Sequence, residues 1–184
     1  MKVSEADILI VPGLGDSGPE HWQSRWQAKL STARRMVHPD WHAPARAAWV
    51  HALITSVGDA RKPVVLVAHS IGVATIAHAA PKLVGRVAGA FMAGMSDWNR
   101  PELLPGIAHD FAPLPRDPLP FPSMVVGSRN DPWCDFEVAG DHANAWGSLF
   151  MDAGEAGHIN TESGHGPWPE GTMVFARFLS GLKS

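Results

Sequence analysis

The run Val64-Val65-Leu66-Val67-Ala68-His69-Ser70-Ile71-Gly72-Val73-Ala74 offers a hydroxyl where an apolar, β-branched stretch gives way to helix-forming residues. A central parallel strand is buried on both faces and needs such a run. A sharp strand-to-helix turn needs small residues two before and two after the serine, because the following helix lies close to the strand. Ala68 and Gly72 occupy those positions, alanine standing where glycine is usual. A serine on that turn sits at a helix N-terminus, where free N–H groups and the helix dipole favour developing negative charge. The chemistry on offer is nucleophilic attack at an acyl carbon. The same serine also serves as a plain helix N-cap, so the motif alone leaves both readings open.

Two further side chains complete a relay for that serine. Asp131 follows a later apolar run in Ser128-Arg129-Asn130-Asp131-Pro132, and His158 follows the next one in Gly157-His158-Ile159. A histidine would take the serine proton, and an acid on its other ring nitrogen would fix the tautomer and stabilise the imidazolium. The oxyanion needs two preorganised N–H donors. The backbone of Ile71 supplies one. Leu14, in the turn Pro12-Gly13-Leu14-Gly15, is chosen for the other, with Gly13 and Gly15 as alternatives.

The elements that must position these groups read as alternating strand and helix. Strands are expected over Asp7–Val11, Arg35–His38 (weak and peripheral), Val64–Ala68, Val87–Ala93, Met124–Gly127 and Ser148–Asp152. Helices are expected over Glu20–Ala33, Pro44–Ala60, Ile71–Ala80, Phe136–Trp146 and Thr172–Leu182. Trp22, Trp26 and Leu30 recur at helical spacing, as do Trp49, Leu53 and Val57. Strands separated by helices imply parallel pairing with right-handed crossovers. All strand C-termini then share one edge, where Ser70, Asp131 and His158 converge. The stretch Pro101–Pro122 holds seven prolines and is expected to be an extended loop inserted over the sheet edge.

At this point the chain resembles a small α/β-hydrolase of the retinoblastoma-binding-protein-9 and YdeN-like serine hydrolase family. The resemblance covers nearly the whole chain. It rests on Pro12-Gly13-Leu14-Gly15-Asp16-Ser17 with Glu20-His21-Trp22, on Ala68-His69-Ser70-Ile71-Gly72, on Asn130-Asp131-Pro132, on Gly157-His158-Ile159-Asn160, and on the tail Ser163 to Gly171. It implies a minimal sheet that lacks the first two strands of larger hydrolases, and triad roles for Ser70, Asp131 and His158. The expected architecture is one α/β domain, residues 1–184, with about six mostly parallel strands and helices on both faces.

Rival residues can be weighed physically. His165 shares a loop with His158, but the short link after the last strand favours His158 as base. Asp135 suits the start of a helix. Cys134 has no evident base beside it and reads as a small packing residue. His69 is expected to point away from Ser70 along the turn, as a structural group or a pocket wall. Trp98 and Trp133 follow two strands and serve either as an apolar acyl wall or as loop anchors. His38 and His42 mimic a metal pair, but Pro39 interrupts them and no ligand cluster completes a site. Gly13-Leu14-Gly15 lacks the third glycine of a dinucleotide fingerprint. No metal or cofactor is expected.

Composition bounds the remainder. The chain has 184 residues, 45% hydrophobic and 18% charged, with a net charge of −3. That length supports a real core, and the balance gives no footprint for nucleic acid or anionic membranes. One cysteine allows no internal disulfide, and the N-terminal acids do not suit a signal peptide. A cytoplasmic location and no membrane span are expected, with the oligomeric state left open. The reading is a serine hydrolase for small carboxylic esters or thioesters. The alternatives are a protein-binding module on the same fold and an acyltransferase using the same triad.

Overall fold

In the computed structural model, which describes residues 1–38, 40–103 and 110–183, six strands form one parallel sheet in the order β2-β1-β3-β4-β5-β6. They are β1 (Asp7–Val11), β2 (Ala33–Arg35), β3 (Val64–His69), β4 (Val87–Ala93), β5 (Ser123–Gly127) and β6 (Leu149–Asp152). The helices are α1 (Trp22–Lys29), α2 (Arg46–Gly58), α3 (Ile71–Ala79), α4 (Phe136–Trp146) and α5 (Pro169–Gly181). Among the described residues no helix is long and apolar enough to cross a membrane.

The two-residue period of the strands divides the core. Leu9, Val11, Leu66, Ala68 and Met92 face α2, α3 and α4. Ile8, Ile10, Val65, Val67 and Phe91 face α1 and α5. The expected tryptophan stripes end in these layers. Trp49, Leu53 and Val57 lie in the first, and Trp22 and Trp26 in the second. β3, at the centre, is buried throughout.

Several element bounds differ from the sequence reading, α1 among them, which spans Trp22–Lys29 rather than Glu20–Ala33. The peripheral strand is Ala33–Arg35 rather than Arg35–His38, pairing Ile8 with Ala33 and Ile10 with Arg35. The cause is the early end of α1: the chain turns after Lys29, and the Ala33 N–H returns to the Leu30 carbonyl. Val37, expected inside that strand, is exposed. α2 starts two residues after Pro44 and stops at Gly58. α5 starts at Pro169, earlier than Thr172, because proline fits the first turn of a helix.

The proline-rich stretch carries a short 3-10 turn at Pro101–Leu103, and its Phe111, Leu114 and Phe121 are buried against the core. Part of that stretch, residues 104–109, lies outside the described residues.

Candidate active site

The turn after β3 has the geometry the small residues permit. Ser70 adopts φ 55 and ψ −124, a region that costs energy for any residue with a side chain. Its N–H is held by the carbonyl of Gly94 at 3.0 Å. Gly72 is required by proximity: a Cβ there would lie 2.5 Å from the Val11 carbonyl oxygen. α3 therefore rests directly on the end of β1, and its first N–H groups point to the same edge as Ser70.

His158 and Asp131 meet as the topology demands. His158 Nδ1 lies 3.0 Å from both Asp131 carboxylate oxygens. Asp131 Oδ1 also accepts the Trp133 backbone N–H at 2.9 Å. The carboxylate on Nδ1 fixes the proton there and leaves Nε2 as the free base of the ring. The loop carrying His158 is tied to the loop carrying Asp131. Ser128 Oγ accepts from the Ala156 N–H at 2.9 Å, and Asn130 Oδ1 from the Gly157 N–H at 2.7 Å.

A pocket of about 390 Å³ opens at this edge. Leu14, His69, Ser70, Ile71, Trp98, Trp133 and His158 all line it. Asp131 stands behind the His158 ring. Sequence reasoning missed Asp16, His21, Ser96, Asn160 and Glu162, which also line the pocket. His21 and Asn160 were within motifs noted above. Ser96 carried no signal, since only the folding of the loop after β4 brings it to Ser70. Their hydroxyls are 3.3 Å apart.

Trp98 answers both of its readings. It is buried against Phe111, with ring centroids 4.9 Å apart, and it also reaches the pocket. Trp133 sits edge-on to the His158 ring. His69 lines the pocket and also reaches the loop that carries His158. Its ring lies 4.8 Å from that of His158, and Nε2 meets the His158 carbonyl at 2.8 Å. The contact arises because the loop after β6 folds over the end of β3.

The rivals lie elsewhere. His165 Nδ1 contacts Ser163 Oγ at 3.2 Å, and its ring leans on Trp168. Asp135 precedes α4 and pairs with Arg100 at 3.1 Å. Cys134 is buried, and burial together with nearby carboxylates pushes its thiol pKa upward, disfavouring the thiolate. His38 stacks between Trp41 and Trp49. Among the described residues no three His, Cys, Asp or Glu side chains gather as metal ligands.

The two imidazoles beside His158 are kept uncharged. Burial, then the nearby charges of Arg35 and His158, lowers the His21 pKa to about 4. Burial, with His158 and His21 beside it, holds His69 well below the usual histidine range. In the turn after β1, the Gly15 N–H is donated to the Trp41 carbonyl at 2.9 Å. That removes Gly15 from the candidate oxyanion donors.

Comparison with known proteins gives the family and the fold. A family model described as serine hydrolase matches residues 8–177. A YdeN-like hydrolase from Pectobacterium atrosepticum shares 32% identity over 96% of this chain and 92% of its own, with a TM-score of 0.86. The ydeN gene product from Bacillus subtilis shares the fold at 18% identity, covering 96% of this chain and 99% of its own, with a TM-score of 0.75. The RedJ thioesterase from the prodiginine pathway of Streptomyces coelicolor shares it at 14% identity, covering 96% and 91%, with a TM-score of 0.65. No curated protein sequence matches significantly. With a family model spanning nearly its whole length, the chain belongs to the serine hydrolase family, has the α/β-hydrolase fold in its YdeN-like form, and is an enzyme of the serine hydrolase type.

Proposed function

We propose that the protein hydrolyses small carboxylic esters or thioesters through an acyl-enzyme on Ser70, with His158 as base and Asp131 as its orienting acid. The observation that carries this reading is the contact of His158 Nδ1 with both oxygens of Asp131 at 3.0 Å, behind a pocket that Ser70 and His158 share. Ser70 Oγ forms a bond to the acyl carbon as its proton passes to His158 Nε2. The tetrahedral oxyanion is received by the N–H groups of Ile71 and Leu14. Collapse expels the alcohol or thiol, which takes the proton from His158. Water then repeats the sequence and releases the acid.

Ser70 turns from Ser96 toward His158 when substrate enters, since catalytic hydrogen bonds tighten only in the complex. Small substrates suit a pocket of about 390 Å³. Among the described residues no arginine or lysine lines it, which disfavours phosphorylated acyl groups. The test is labelling by a fluorophosphonate probe, with the modified residue mapped by mass spectrometry. Modification at Ser70 that is lost in His158→Ala supports the reading. A native protein that stays unlabelled overturns it.

A further inference from the structure

We propose that His69 is a positioning residue for the base: its Nε2–H, donated to the carbonyl of His158, acts with the Trp22 indole N–H on the carbonyl of Ile159 to hold the peptide that carries the His158 ring. The inference rests on the triad assigned above and adds residues outside it.

The need for such a clamp is visible in the backbone. Ile159 has φ 50. A β-branched side chain in the left-handed region is strained and persists only where its surroundings hold it. Relaxation to negative φ would rotate the His158–Ile159 peptide and swing the ring away from Asp131 and Ser70. Two donors from distant parts of the chain oppose that rotation. His69 Nε2 reaches the His158 carbonyl at 2.8 Å across 89 positions of sequence. Trp22 Nε1 reaches the Ile159 carbonyl at 2.9 Å across 137 positions. Both contacts are buried, and a carbonyl acceptor requires that His69 carry its proton on Nε2.

Magnitudes make each donor decisive. Leaving a buried carbonyl without its donor costs about as much as the backbone strain it restrains. Removing one donor therefore lets the relaxed loop compete with the held one. The carbonyl also has little room: a Cβ on Gly94 would lie 2.7 Å from the His158 oxygen. Gly94 in turn accepts the N–H of Ser70. Because His69 is the chain neighbour of Ser70, one hydrogen bond ties the nucleophile turn directly to the base loop.

The test measures kcat and KM for p-nitrophenyl acetate in His69→Phe, His69→Gln and Trp22→Phe, with His158→Ala as reference. Phenylalanine keeps the ring and removes the donor. Glutamine returns an N–H near the Nε2 position. We expect His69→Phe to lose about 10- to 100-fold in kcat, with KM within about twofold, and His69→Gln to recover to within about fivefold of wild type. Trp22→Phe removes the partner donor from the other carbonyl and should lower kcat the same way. It decides the matter should His69→Phe not fold by near-ultraviolet circular dichroism. A folded His69→Phe with wild-type kcat, or with its loss confined to KM, overturns the clamp. So does a folded His69→Gln no better than His69→Phe. An active His158→Ala instead overturns the triad reading itself, which keeps the two failures distinct.

Discussion

The hydroxyl of Ser70 meets that of Ser96 at 3.3 Å, although one comes from the turn after β3 and the other from the loop after β4. A neutral contact of that length is worth at most about 1 kcal/mol. If Ser96 only parks the nucleophile between turnovers, Ser96→Ala should leave kcat/KM unchanged or raise it by up to about fivefold. Steady-state kinetics on a p-nitrophenyl ester checks this. A tenfold fall would mean that Ser96 touches the transition state.

The proposed triad predicts a steep dependence on each member. Ser70→Ala should abolish turnover, and Asp131→Asn should cost on the order of 10⁴ in kcat, because the wrong imidazole tautomer then faces the serine. His158→Ala should be similarly severe, and His165→Ala mild, since His165 leans on Trp168 away from the pocket. Parallel kinetics on the four variants checks the assignment. The reverse order for the two histidines would move the base to His165.

Acid should destabilise the fold through its buried imidazoles. The His21 pKa falls from 6.5 to about 4 on folding, first through burial. Between those values the unfolded chain binds a proton that folded His21 refuses, so stability falls as pH drops through the window and levels off below it. For His21 alone the loss is about 3 kcal/mol at the foot of the window. His69 shifts in the same direction. Urea midpoints measured from pH 7 down to pH 4 should decline, and the decline should be shallower in His21→Asn, whose side chain can still cap α1. An identical slope in that variant would refute the assignment.

Gly72→Ala should damage the scaffold rather than the chemistry alone. The added Cβ would lie 2.5 Å from the Val11 carbonyl and 2.7 Å from that of Pro12, so backbone must move. Overfilling of this kind costs about 1–3 kcal/mol, which for a chain of this size means a thermal midpoint lower by roughly 3–10 °C. Calorimetry or a circular dichroism melt checks it, and an unchanged midpoint would show that α3 can slide away from β1.

Local patterns in the chain carry the alternation of strands and helices, the two-sided burial of the central strand, and the order in which Ser70, Asp131 and His158 follow β3, β5 and β6. These are local matters: hydrophobic period, small residues around a turn, and the rule that parallel strands end on one edge. Element ends were less legible. α1 stops where the chain turns into β2, and that turn is set by pairing with β1, which is not a property of residues 30–33 alone.

Tertiary structure alone decided which distant groups share the pocket and how they are held. His69 reads locally only as a structural group or a pocket wall beside Ser70, yet the loop after β6 folds over it and brings the His158 carbonyl to its ring. Ser96, His21 and Glu162 join the pocket through loops whose conformation no periodicity encodes. The positive φ of Ile159 is equally invisible in sequence, because a β-branched residue avoids that region unless contacts from far along the chain hold it there. Periodicity is written residue by residue. A clamp spanning 137 positions exists only once the sheet has assembled.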